Sequence, residues 1–166
     1  MKILVLNAGS SSLKYQLFDM EKETILAKGL CERIGTGGAV THKPTGKDPV
    51  SEEISLPDHG AALERVLALL TDATHGVVAS IEEIDAVGHR VAHGGEFFSD
   101  SCVVTEEVKE KIRSLFEIAP LHNPANLEGI LSMEKVLPGI KQVAVFDTSF
   151  HHTIPAINYL YAVPYE

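Results

Sequence analysis

Residues 3–19 read I-L-V-L-N-A-G-S-S-S-L-K-Y-Q-L-F-D, and the rest of the chain is organised around them. The unbroken apolar run at 3–6 predicts a strand buried on both faces. Residues 13–18 alternate instead, with Leu13, Tyr15 and Leu17 on one side and Lys14, Gln16 and Phe18 on the other. Between them, Asn7, Ala8, Gly9, Ser10, Ser11 and Ser12 supply small turn-forming residues, backbone amides and hydroxyls. Two strands joined in this way predict a hairpin whose tip approaches a phosphate closely. A glycine-serine stretch alone is more often a structural turn. Here Lys14 adds a cation just past the tip and Asn7 a neutral oxygen ligand just before it, and the two shift the reading from a structural turn towards a phosphate site.

Beyond the hairpin, residues 24–33 read as a third strand. Residues 34–56 are rich in Gly and Pro, with β-like pieces at 39–43 and 50–56, and predict a small exposed hairpin inserted into the domain. Asp58 caps a helix whose Ala62, Leu63, Val66, Leu67 and Leu70 share one face. Residues 84–91 form a fourth strand. Thr105 opens another helix, with Glu106 and Glu107 in its first turn and Val108, Ile112, Leu115 and Phe116 inward. Asn123 followed by Pro124 reads as an N-cap and first helical position, and that helix stops near Pro138 and Gly139. Residues 142–146 make a fifth, buried strand that runs into Asp147 and Thr148.

The order β-β-β-α-β-α-β predicts an α/β fold with a mixed sheet, strands one, four and five parallel, and helices on both faces. Ligands of such sheets sit at the carboxyl ends of the strands. Asn7, Arg90 and Asp147 fall at or next to those ends. The bulk composition is that of an ordinary soluble protein: 166 residues, 45% hydrophobic and 22% charged. With 23 acidic against 14 basic side chains the net charge is −9, which argues against a broad nucleic-acid or anionic-membrane surface. Any anion site must therefore be local. Cys31 and Cys102 have no metal-type spacing, and free thiols in a reducing, cytoplasmic compartment are expected. No signal-peptide core and no membrane-spanning run is visible in the sequence.

Four stretches carry a family resemblance. Residues 7–14, NAGSSSLK, resemble the first signature of the acetate kinases, and residues 88–95, GHRVAHGG, resemble the second shared stretch. Residues 120–126, PLHNPAN, and 145–151, VFDTSFH, are similar to two more, in the same order. The resemblance implies the actin-like ATPase (ribonuclease H-like) fold of the acetate and sugar kinase, Hsp70 and actin superfamily. It also implies that residues 1–150 are an amino-terminal domain and residues 151–166 the start of the connection to a second domain of the same fold. That second domain would carry most nucleotide contacts, the full-length protein would be a homodimer, and the fragment alone would be inactive.

By the same resemblance the reaction is reversible, magnesium- or manganese-dependent phosphoryl transfer from ATP to acetate, giving acetyl phosphate and ADP. A carboxylate is already ionised at neutral pH, so catalysis consists of positioning and charge neutralisation. Asn7 corresponds to a metal-site residue and Lys14 to an ATP-binding position, with Ser10 and Ser12 donating to phosphate. Arg90 corresponds to the residue that holds the substrate carboxylate, and Val91 and Leu121 to positions near the methyl pocket. Asp147 corresponds to the proton donor or acceptor; with no proton to move, it acts through metal waters or by orienting Arg90. His122 becomes a catalytic residue on the phosphate side, before a helix start that favours anions. His89, His93, His151 and His152 are expected to be structural or surface residues. The rivals are a propionate kinase, since one methylene is worth only about 1–3 kcal/mol, and a non-catalytic actin-like domain that binds a phosphorylated ligand.

Overall fold

The hairpin is formed as the alternation requires. In the computed structural model, which describes residues 1–164, β1 (Lys2–Ala8) and β2 (Ser12–Asp19) pair antiparallel from Lys2 opposite Asp19 to Ala8 opposite Leu13. The Gly9 N–H closes the turn on the Ser12 carbonyl at 2.8 Å. Tyr165 and Glu166, the end of the expected connection, lie outside the described residues.

From this hairpin an eight-stranded mixed sheet grows both ways. On one side β3 (Thr24–Glu32), β4 (Ala39–Pro44) and β5 (Val50–Glu53) continue it antiparallel. On the other, β6 (Ala86–Val91) and β8 (Lys141–Phe146) run parallel to β1, as expected, and β7 (Cys102–Val103) closes the edge against β8. The order is β5-β4-β3-β2-β1-β6-β8-β7. The long helices are α1 (His59–Leu70), α2 (Glu106–Ser114) and α3 (Asn123–Val136), and a single turn, α4 (Ala156–Tyr159), follows near the end. Among the described residues no helix is long and apolar enough to cross a membrane.

Two expectations change. The 34–56 region forms the expected hairpin, β4–β5, with an exposed turn at 45–49, but it is part of the main sheet and not a separate insert: β4 pairs with β3 along six residues, and its His42 is fully buried. Tyr15 donates its hydroxyl to His42 Nδ1 at 2.5 Å, and His42 Nε2–H donates to the His75 carbonyl at 3.2 Å. Gly29 lies between Tyr15 and His42 in the ladder, and a Cβ there would meet the Tyr15 ring at 2.5 Å. Arg65 of α1 then grips Glu52 of β5 through Nε (2.5 Å) and Nη2 (2.8 Å).

The second change concerns layering. The chain is α/β with a mixed sheet, but α1, α2 and α3 stack on one face rather than on both. That face carries Leu4, Leu6, Leu13, Leu17, Val87, Val91, Ala144 and Phe146, all at most 1% exposed. The reason is handedness: β1 to β6 and β6 to β8 are two crossovers in the same direction, and right-handed crossovers in one direction put their helices on one side. The opposite face stays open, so β1 is buried on one face only and Val5 is 38% exposed.

His89 lies on the covered face, 2% exposed, with Nε2–H donating to Gln142 Oε1 at 2.6 Å. Burial pushes its pKa from 6.5 down to about 4, against the partly opposing bond to Gln142. A depressed histidine pKa means that the unfolded chain takes up the proton first. The stabilisation is complete above pH 6.5 and is lost as the pH falls towards 4. The loss is on the order of 3 kcal/mol. His42 is shifted the same way, chiefly by burial. Thermal melts from pH 7.5 to 4.5 are expected to show a flatter pH dependence for His89→Gln, which keeps a donor for Gln142, than for the natural chain. Equal slopes would show that His89 does not titrate across folding.

Candidate functional site

The sheet register brings the charged candidates into one row across the open face. Asn7 is the cross-strand partner of Lys14, Lys14 of Leu30, and Leu30 of Thr41. The β1–β6 ladder ends at Leu6 opposite His89, so the next residues are Asn7 and Arg90; Arg90 in turn lies opposite Val145. Alternation sends Leu6 and His89 to the helices and leaves Asn7 and Arg90 on the open side. Lys14, Lys28 and Lys43 line a groove of about 520 Å³ beside Asn7 and Val5. In a chain of net charge −9 this is the local positive surface that anion binding requires.

Arg90 and Asp147 meet as expected. Arg90 Nε lies 3.1 and 3.0 Å from the two Asp147 carboxylate oxygens, and Nη2 donates to Oδ2 at 2.5 Å. The Nε–Nη2 edge of the guanidinium is thus committed to Asp147, while Nη1 has no partner among the described residues. The side chains are 35% and 49% exposed, so the pair is open to solvent and is worth little as a stabilising contact. Its consequence is orientation.

The hairpin tip lies at the same end of the sheet. Ser10 and Ser11 are exposed, and their amides make no bond within the described chain. Two carbonyls behind the tip are held from below: His59 Nε2–H donates to Gly9 O at 2.7 Å, and Asn126 Nδ2–H donates to Ala8 O at 2.7 Å. Asn126 Oδ1 also accepts from Ala92 N at 3.0 Å, just past Arg90 and Val91.

The remaining candidates divide. His122 precedes α3 in the capping position without a side-chain cap bond, and its ring is exposed. Leu121 is 80% exposed, whereas Val91 is fully buried on the helix side, against the second core with Phe146 and Leu127. The structure therefore does not bring Val91 to the face that carries Arg90. Asn123 is not the cap that its sequence position suggests. It is fully buried at the first turn and brackets the His93 backbone, accepting from N at 3.1 Å and donating to O at 2.9 Å. His93 Nδ1 accepts from Gly95 N at 3.0 Å, and His151 and His152 lie on the surface.

Asn123, Asn126 and His59 are the residues that sequence reasoning missed. A signal existed: asparagines three apart on the inner side of a helix start are poor helix formers placed where leucines would pack better. As to a metal, Asn7 offers one neutral oxygen, too little to hold a hard cation by itself. Among the described residues no group of three His, Cys, Asp or Glu could hold one. The chain fits at most one corner of a magnesium shell.

An acetate kinase of Heliobacterium modesticaldum is 60% identical over the whole chain, and one of Methanosarcina mazei is 54% identical. The chain spans 42% and 41% of their lengths. Among solved structures, the acetate kinase of Porphyromonas gingivalis superposes with a TM-score of 0.93 at 49% identity, covering 99% of this chain and 41% of that one. A propionate kinase from Francisella tularensis follows at 0.87 and 38%, with the same coverage. These likenesses carry the actin-like ATPase fold. A model described as the acetokinase family matches residues 2–166, and the chain belongs to that family.

Proposed function

We propose that this chain is the amino-terminal part of a kinase that transfers the γ-phosphoryl group of ATP to acetate, giving acetyl phosphate and ADP. The observation that carries the proposal is the row Lys14, Asn7, Arg90 with Asp147 behind it, at the carboxyl edge of the parallel strands. Arg90 holds the acetate carboxylate with the donors that Asp147 leaves free, an end-on grip by Nη1 and Nη2. Asp147 holds the guanidinium plane, so the carboxylate oxygen is aimed rather than merely attracted. Lys14 supplies a compact charge for phosphate oxygens, and the free amides at Ser10 and Ser11, with the hydroxyls of Ser10 and Ser12, donate to the same group. His122, whose ring makes no cap bond at the α3 start among the described residues, serves the phosphate side, and Leu121 the rim beside the acyl group. Val91 acts only from beneath, by setting the strand. Magnesium or manganese, when bound, neutralises phosphate charge; Asn7 offers it one oxygen, directly or through water. This chain spans 42% of the length of such a relative, and we assign the remaining cationic and nucleotide contacts, and the dimer contacts of a full-length homodimer, to a second domain beyond it.

A propionate kinase is the second reading, favoured by the close superposition on such an enzyme. A coupled assay of the full-length protein with ATP and formate, acetate, propionate and butyrate decides between them.

Three outcomes follow. Arg90→Ala is expected to raise the KM for acetate about 10- to 100-fold and lower kcat, with the KM for ATP within about threefold, since a charge-assisted pair is worth about 1.5–3 kcal/mol. Arg90→Lys recovers only part of this, because the planar fork is lost. Equal effects on both substrates would make Arg90 structural. For Asp147, the orienting role predicts non-additivity: Asp147→Asn costs roughly tenfold in kcat/KM for acetate in the natural background and almost nothing in Arg90→Ala. Additive losses in that cycle rule the role out. Finally, the purified 166-residue chain is expected to form no acetyl phosphate in a hydroxamate assay in which full-length protein is active. Turnover by the fragment would contradict the division of labour.

A further inference from the structure

We propose that Asn126 is a positioning residue: its carboxamide sets the gap between the hairpin tip and the Arg90 strand, and so the distance between the phosphate and carboxylate ends of the site. The inference rests on the phosphoryl-transfer reading above.

The geometry is specific. The β1–β6 ladder stops at Leu6 and His89, and beyond it the two strands part. Ala8 O and Ala92 N are left without each other, and Asn126 stands between them. It is 2% exposed, donates through Nδ2 to Ala8 O at 2.7 Å, and accepts through Oδ1 from Ala92 N at 3.0 Å. A carboxamide offers a donor and an acceptor side by side on one rigid plane whatever the pH, which a carboxyl group does only when protonated. Aspartate would set a second acceptor against the Ala8 carbonyl, and alanine would orphan two backbone groups.

Three further contacts fix the wedge. Asn123, one turn earlier and fully buried, brackets His93 in the same way, so α3 holds the loop after Arg90 at two points. Gly129, one turn later, lets the helix approach β1 so closely that an added Cβ would lie 2.7 Å from Ala8 Cβ. His59 ties Gly9 O from α1. Ala8 therefore has no slack along the helix, and Asn7 and Gly9 on either side of it follow its position. A shift of about 1 Å between reacting groups is enough to cost about 100-fold in rate. Asn126 touches no reacting atom in this arrangement; it acts through the two strand ends.

The test uses the full-length protein with ATP and acetate, following kcat, both KM values and the melting midpoint. Asn126→Asp is nearly isosteric and, assayed up to about pH 9 so that its carboxyl is read in the ionised form, removes only the donor. It is expected to fold, to keep both KM values within about threefold, and to lose about 30- to 300-fold in kcat. Ile130→Val, in the same helix and facing the core, is the control: it lowers the midpoint but leaves kcat within about twofold. Asn126→Ser, smaller and able to keep one partner, serves if the aspartate variant does not fold. An unchanged kcat in folded Asn126→Asp or Asn126→Ser overturns the inference. So does a kcat that falls as far in Ile130→Val, and so does the failure of both Asn126 variants to fold, which would make the residue a core element. Natural protein that phosphorylates no short carboxylate overturns the functional reading itself, an outcome visible before any variant is compared.

Discussion

Where two parallel strands part, the backbone groups at their ends are buried and must find partners elsewhere. In this chain that happens between β1 and β6, and the Asn126 carboxamide meets the demand on both sides. An unpartnered buried donor or acceptor costs about 1–3 kcal/mol, so the position of α3 is dictated by more than apolar packing. Helix, strand ends and loop are one unit. Because the hairpin tip and Arg90 hang from those strand ends, the shape of the site follows from a backbone constraint one layer below it.

The second constraint is handedness. Two crossovers in the same direction place every long helix on one face and leave the other open. Side-chain alternation then does the sorting: every second residue of β1, β2 and β6 enters the core, and the residues between them, Asn7, Lys14 and Arg90, face outward together. A strongly acidic chain thereby assembles a cationic row without a basic composition. The Arg90–Asp147 pair within it is too exposed to matter much for stability. Its worth lies in holding a planar group at a fixed angle, which costs the fold little and matters only to a bound anion.

The histidines show how burial separates structural from chemical roles. His42, His59 and His89 are buried, and each gives a hydrogen bond to a defined acceptor. They brace the β4 strand, the hairpin tip and the β6–β8 pair. His122 is exposed at the α3 start without a side-chain cap bond. One residue type thus serves two ends, and solvent exposure distinguishes them.

The sequence by itself determined the hairpin, the five main strands, the three long helices and the carboxyl edge on which Asn7, Arg90 and Asp147 gather. These depend on periodicity, caps and the rules of parallel pairing, all of which are local. Its four motifs also pointed to the family that the comparisons then showed. Only the tertiary structure decided that the helices share one face, that β4 and β5 belong to the main sheet, that Val91 turns inward, and that Asn123 and Asn126 clamp backbone instead of capping a helix. The reason is range: Asn126 and Ala8 are 118 residues apart. No local pattern can specify which distant carbonyl a buried amide will meet, because that partner exists only once the sheet and the helix have packed.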